Sequence, residues 1–117
     1  MRGQIRVINK ATMTARLPMV KVYVGRPAKG EVNSKLANPF PIVRDTEAQR
    51  DDVTARFEAW LLERLAKEGH PVQVEFLALV ERVRKGEHIA LACYCAPKKC
   101  HADIIKKYLE QYLENTP

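Results

Sequence analysis

The chain has 117 residues, with 20 lysines and arginines against 14 aspartates and glutamates, for a formal net charge of +6 at pH 7. This length builds one hydrophobic core, which excludes a second domain. The first residues carry no apolar leader and no run is long enough to cross a bilayer, so we expect a cytoplasmic protein that does not contact membranes.

The N-terminal third contains two candidate strands. Residues 1–19 are predicted to form a strand, at Gln4 to Ile8, or an arm, and residues 20–117 to form a single α/β domain. The β-branched segment Val20 to Val24 predicts a strand that stops at Gly25-Arg26-Pro27, where Gly and Pro end regular pairing. A segment without periodicity follows from Ala28 to about Asp45, a length typical of a functional loop.

Helices and one further strand fill the rest of the chain. Thr46 or Asp45 is expected to cap a helix that runs to about Lys67, with Gly69 as its C′ residue. A second amphipathic helix ends at Gly86. A strand is predicted from His88 to Tyr94 and a last helix from about Cys100 to Glu114. The recurring apolar positions of the first helix are Val53, Phe57, Trp60, Leu61 and Leu65.

This order predicts a single small α/β domain with a mainly parallel sheet flanked by helices. Parallel strands that are joined through helices end at the same edge of a sheet. Gly25-Arg26 and the segment after His88–Tyr94 are therefore expected at one edge, where open α/β sheets bind ligands.

All three cysteines of the chain fall within residues 93–100, next to His101. An odd number of cysteines without a secretion signal predicts reduced thiols that are free, metal-bound or redox-active. Cys93, Cys95, Cys100 and His101 match a Cys₃His zinc shell in residue type, although the C-x-C-x₄-C-H spacing differs from the usual paired knuckles.

Two other interpretations of this cluster stay open. Cys100 lies at the predicted start of a helix, beside Lys98, Lys99 and His101, where positive charge lowers the pKa of a thiol. Such a thiolate is a candidate nucleophile, with His101 as its base and Cys95 as a resolving thiol. Alternatively, the cysteines are buried as small apolar side chains and His101 caps the helix.

Anion binding is expected at the same edge. Arg26 follows a strand and a glycine. A guanidinium group can donate two parallel hydrogen bonds to the oxygens of a phosphate or carboxylate. The positive net charge favours anionic partners, either nucleotides and phosphates or nucleic acid. Asn38, before Pro39, is a candidate for a base or sugar contact, and turn formation is its ordinary alternative.

Several motifs together resemble one family. They are the segments Tyr23–Pro27, Asn38–Phe40, Arg50 leading into Phe57-x-x-Trp60-Leu61, and Leu91–Asp103. These segments are similar to those of domain of unknown function 4326, a group of small phage and bacterial proteins, which implies the host cytoplasm if a phage encodes the chain. The last segment is also similar to a second uncharacterised family. The resemblance implies a compact α/β domain and a site at Gly25, Arg26, Asn38, Pro39, Phe40, Cys93, Cys95, Pro97, Cys100 and His101.

These observations lead to two functional hypotheses. In the first, a pocket at the carboxyl ends of the strands binds a nucleotide-like or phosphorylated ligand, and Cys100 and His101 supply reactivity. In the second, the protein is a non-enzymatic module in which the cysteine cluster binds zinc and the basic surface contacts nucleic acid or a protein. The sequence does not decide whether the protein is an enzyme.

Overall fold

The computed structural model describes residues 2–9, 19–25, 34–40, 46–93 and 101–115. Strands and helices follow one another in the order that the sequence predicted, with small shifts at their ends. In chain order the elements are β1 Ile5–Asn9, β2 Met19–Tyr23, α1 Glu47–Leu65, α2 Pro71–Arg84, β3 His88–Cys93 and α3 His101–Asn115.

The three strands form one sheet in the order β1-β3-β2, and both pairings are parallel. Ile89 of β3 stands between Ile5 of β1 and Val20 of β2. The central position explains why β3 is an almost unbroken apolar run, since a strand that is covered on both faces gains nothing from polar alternation. The predicted fold class, a parallel sheet flanked by helices in an α/β domain, is confirmed.

The main core lies between the helices and one face of the sheet. Ile89, Leu91 and Cys93 alternate onto this face from β3 and are almost completely buried. Burying a large apolar side chain contributes about 1.5–3 kcal/mol, so this cluster supplies most of the driving force for folding. The largest fully buried side chains that join it from the helices are Phe57, Leu61, Phe76, Val83, Ile105 and Leu109.

A second, smaller buried cluster lies on the opposite face of the sheet. It consists of Ile8, Tyr23, Ala90 and Ala92, with Met19 packed against it. The two alanines of β3 are completely buried. Their small side chains leave room for the Tyr23 ring beside them, so the two faces of β3 differ in side-chain size.

The helix ends follow from local hydrogen bonds. The side chain of Thr46 accepts a hydrogen bond from the Gln49 N–H at 3.2 Å, which confirms the predicted N-cap of α1. The prediction for Gly69 was wrong: α1 ends at Leu65, and Gly69 has its positive φ of 80° in the turn beyond. That turn leads into α2, whose first turn is capped by the ring Nδ1 of His70.

The N-terminal segment is joined closely to the start of β3. The Gln4 N–H donates to Nδ1 of His88 and the Gln4 carbonyl accepts from Ile89, both at 2.9 Å. A Cβ atom on Gly3 would lie 1.9 Å from the main-chain oxygen of Glu87. Only glycine allows this approach. The strand predicted between residues 1 and 19 is therefore β1, and residues 10–18 lie outside the described part of the chain.

The loop segment 34–40 is anchored by one side chain that the sequence pattern did not single out. Leu36 is completely buried in the main core. The carboxylate of Glu75 on α2 accepts hydrogen bonds from the Ser34 hydroxyl and from the N–H groups of Lys35 and Leu36. These bonds hold the loop against α2. No helix in the described ranges has the length and apolar character that crossing a membrane requires.

Candidate functional site

The carboxyl edge of the sheet brings together two segments that are far apart in the sequence. Directly after β2, the Val24 N–H donates to the carbonyl of Ala92 at 2.9 Å, which extends the pairing with β3 by one residue. Val24 and Gly25 are both buried. Helix α3 begins at His101, immediately beside them. The sequence predicted that the Gly25 and His101 segments would meet at this edge, and the contact described next joins them.

His101 forms the link between α3 and the end of β2. Its Nε2 lies 2.6 Å from the main-chain oxygen of Val24, and only 6% of the residue is exposed. A carbonyl oxygen can only accept, so Nε2 is the donor and carries the proton. In the neutral ring the lone pair is then on Nδ1. This bond fixes the orientation and the tautomer of the imidazole.

Aromatic side chains of α1 pack around this histidine. The ring of Phe57 meets the His101 ring edge-on, with 5.1 Å between the centroids. Trp60 lies 5.5 Å from Phe57, and the Arg64 guanidinium stacks over the Trp60 ring at 4.6 Å. The series runs from the buried histidine to a partly exposed arginine. Phe57 and Trp60 were predicted as core positions, and their contact with the histidine was not visible in the sequence.

The side chain of Tyr23 packs closely against Gly25. A Cβ atom on Gly25 would lie between 2.6 and 2.9 Å from the hydroxyl and ring atoms of Tyr23. Tyr23 belongs to the second buried cluster and has little room to move. Glycine is therefore required here by the packing of the tyrosine. Arg26, predicted to bind an anion, lies outside the described residues.

The cysteine cluster is described only at its two ends. Cys93 is 1% exposed and points into the main core. Cys95, Pro97 and Cys100 lie outside the described residues, so the predicted zinc shell and the predicted nucleophile stay predictions. Within the part of the chain that the structure describes, no group of three His, Cys, Asp or Glu side chains is arranged to hold a metal ion.

Asn38 and Phe40 belong to the loop segment 34–40. The Asn38 Oδ1 accepts a hydrogen bond from the Phe40 N–H at 2.8 Å, which is an Asx turn. Phe40 is partly buried and packs against the main core. The side-chain oxygen of Asn38 thus accepts the hydrogen bond of the turn, which is the ordinary role that its position before Pro39 indicated.

Charged groups tie α3 to α1 away from the edge. Both Lys107 and the hydroxyl of Tyr108 donate to Oε2 of Glu58 on α1. The hydrogen bond to Glu58 is the main cause that raises the pKa of Tyr108, and burial and the negative charge of Glu58 add to it. The same carboxylate raises the pKa of Lys107. These bonds fix how α3 lies on α1 and therefore where its first residue meets β2.

The comparisons with known proteins bear on the whole chain. Neither a curated protein nor a solved structure matches it. A family model matches residues 7–111, which span β1 to α3 and include the carboxyl edge. The chain belongs to the family described as Domain of unknown function (DUF4326).

Proposed function

We propose that the protein binds a nucleotide-like or phosphorylated ligand at the carboxyl edge of its sheet. The observation that carries the proposal is the hydrogen bond from His101 to Val24, because it joins the first residue of α3 to the end of β2. Ligands of open α/β sheets bind in the crevice beyond the carboxyl ends of the strands. The proposed site lies at that edge of a sheet whose pairings are both parallel.

The electrostatics of this edge favour an anion. Helix α3 has 15 residues, and the N–H groups of its first turn carry partial positive charge. In the sequence, Lys98 and Lys99 precede the helix, and Arg26 follows the buried Gly25 directly. We propose that these three cationic residues, which adjoin the described edge in the sequence, attract a phosphate group. The net charge of +6 strengthens the attraction at a distance.

His101 and Cys100 are the groups proposed to supply reactivity. With the proton of His101 on Nε2, the basic nitrogen of the neutral ring is Nδ1. Cys100 directly precedes α3 in the sequence, and the positive charge near a helix start would stabilise its thiolate. We propose Cys100 as the nucleophile and His101 as its base.

Ligand binding can be measured through the single tryptophan of the chain. Trp60 contacts Phe57, which contacts His101, so a ligand at this edge should change its fluorescence. The probes are ATP and inorganic pyrophosphate, with isothermal titration calorimetry as the second readout. Arg26→Ala should weaken binding about tenfold or more, since it removes a charge-assisted contact.

Arg56→Ala is the matched control for this experiment. Arg56 is an exposed arginine on α1 that pairs with Asp52 at 3.1 Å. Its removal changes the net charge by the same amount as Arg26→Ala but leaves the edge intact. If both variants weaken binding equally, the interaction depends only on the net charge of the protein. If neither ATP nor pyrophosphate binds, the proposal is overturned.

Zinc binding by Cys93, Cys95, Cys100 and His101 is the second candidate function. One observation favours it: histidines that bind a metal commonly donate their other ring N–H to a carbonyl, as His101 does to Val24. The resulting module would be non-enzymatic, and its basic surface would contact nucleic acid or a protein. Elemental mass spectrometry of tag-free protein should then find about one zinc per chain, lost in Cys95→Ser. Metal-free protein would discard this alternative.

A further inference from the structure

The outer edge of β1 carries main-chain groups that no described strand pairs with. β1 is an edge strand of the sheet. The Gln4 carbonyl accepts from Ile89, so the main-chain groups of Gln4 and Arg6 point toward β3. Successive residues of a strand alternate in direction. The N–H and C=O groups of Ile5 and Val7 therefore point away from the sheet, toward the space beside β1.

A groove runs along this edge. It has a volume of about 260 Å³ and is lined by residues 2–6 together with Glu110 of α3. Residues 2–4 precede β1, and Ile5 and Arg6 begin it, so the groove follows the chain onto the outer side of the strand's first residues. The groove lies at the amino end of β1. His101 and Val24 lie at the carboxyl end of β2, on the other side of the central strand β3.

The side chains along the groove specify the chemistry of its occupant. Arg6 of β1 is exposed, as are Arg2 and Gln4 just before the strand, and all three alternate with the buried Gly3 and Ile5. Ile5 and Val7 lie on the other face, against the main core. An added strand would thus meet a basic row on one face and an apolar row on the other.

The charges also decide against a second copy of the chain. If residues 2–6 of two copies paired antiparallel with Gln4 at the centre, Arg2 of one copy would lie opposite Arg6 of the other. Like charges directly opposite each other destabilise a strand pair. Glu110, the one acidic residue of the groove, is already held by Lys106 at 3.2 Å. The groove therefore presents net positive charge.

We infer that β1 is a docking edge for an extended acidic peptide segment of another protein. The segment adds a fourth strand to the sheet and bonds to the main-chain groups of Ile5 and Val7. It has two acidic residues spaced four apart, which pair with Arg2 and Arg6. Apolar residues between them pack beside Ile5. This interaction is independent of ligand binding at the carboxyl edge.

The probe is a fluorescein-labelled Glu-Val-Thr-Val-Glu peptide, whose palindromic sequence suits either strand direction. Fluorescence anisotropy should show saturable binding to the full chain. Arg6→Glu should weaken this binding about tenfold or more, and a Lys-Val-Thr-Val-Lys peptide should bind that variant better than it binds the native chain. Arg56→Glu, an exposed reversal on α1, should leave the affinity unchanged.

Two further variants separate strand addition from charge attraction. A peptide with proline at its second and third positions keeps both glutamates but loses main-chain donors, so its binding should fall about tenfold. Val7→Pro removes a donor that points away from β3, and circular dichroism checks its fold. If neither the prolines in the peptide nor Val7→Pro in the protein weakens binding, the inference is overturned. Saturable self-association that excludes the peptide would overturn it as well.

Discussion

His101 and Val24 are separated by 77 positions in the sequence, yet Nε2 of the histidine lies 2.6 Å from the main-chain oxygen of the valine. The contact joins the start of α3 to the end of β2, while the N–H of the same Val24 bonds to Ala92 of β3. Val24 thus connects β2 and β3 to α3 at the carboxyl edge of the sheet. The geometry of any site at this edge depends on it.

Replacing His101 should destabilise the protein. His101→Ala leaves the buried Val24 carbonyl without its donor, which costs about 1–3 kcal/mol. It also removes the edge-on contact with Phe57, so the total loss should be at least about 2 kcal/mol. Urea unfolding followed by Trp60 fluorescence measures this change.

The control for His101→Ala is Gln111→Ala on the same helix. Gln111 is exposed, so its truncation should change the free energy of unfolding by less than about 0.5 kcal/mol. His101→Gln keeps an N–H donor and should recover part of the lost stability. If His101→Ala unfolds at the same urea concentration as the native chain, the bond to Val24 contributes nothing to folding.

Cys93 should react slowly with thiol reagents in the folded protein. Its thiol is 1% exposed in the main core, so a reagent reaches it only when the structure opens. Ellman's reagent should leave Cys93 unmodified in the folded protein and modify it fully in urea. Peptide mapping with a light alkylating agent before unfolding and a heavy one afterwards identifies the residue. Rapid native labelling of Cys93 would mean that β3 is accessible from outside.

Gly3→Ala should disrupt the start of β1. The added Cβ would lie 1.9 Å from the main-chain oxygen of Glu87, and main chain on both sides cannot yield without moving the strand. Overpacking of this kind costs about 1–3 kcal/mol or more. Gly69→Ala is the comparison, because a Cβ there meets nothing within 4 Å and only the positive φ of 80° opposes it. We expect the larger loss of thermal stability at Gly3.

The sequence predicted the fold well, for physical reasons. The uninterrupted apolar run from Ile89 to Ala92 predicted a strand, and β3 is the buried centre of the sheet. The spacing of Val53, Phe57 and Leu61 gave the buried face of α1 correctly. Such patterns are local, and burial follows them directly.

The sequence predicted that the Gly25 and His101 segments would meet, but it did not identify the individual contacts between distant segments. The hydrogen-bond partner of His101 is a main-chain carbonyl. Every residue has one, so the residue types do not identify which carbonyl it is. Leu36 is buried although no periodic pattern surrounds it, because the hydrogen bonds of Glu75 fold its loop back onto α2. Gly69 looked like a helix C′ residue, but the preceding three residues already form the turn after α1.

Tyr108 should ionise later than an ordinary tyrosine. Its hydroxyl donates to Glu58, and this bond, with burial and the negative charge of Glu58, raises its pKa above the usual value of about 10. The folded chain therefore holds the phenol proton more tightly than the unfolded chain. The resulting stability is fully present below the unfolded pKa and is lost as the pH rises through the folded one. Lys107, whose pKa Glu58 also raises, acts in the same direction.

An alkaline titration followed by tyrosinate absorbance tests this expectation. The chain has four tyrosines, and Tyr108→Phe should remove the delayed step while leaving the others unchanged. Glu58→Gln should instead shift that step to lower pH, because the carboxylate that raises the pKa is gone. The same substitution should flatten the decline of thermal stability above about pH 10. A titration identical in the native chain and Glu58→Gln would show that the carboxylate does not hold the phenol.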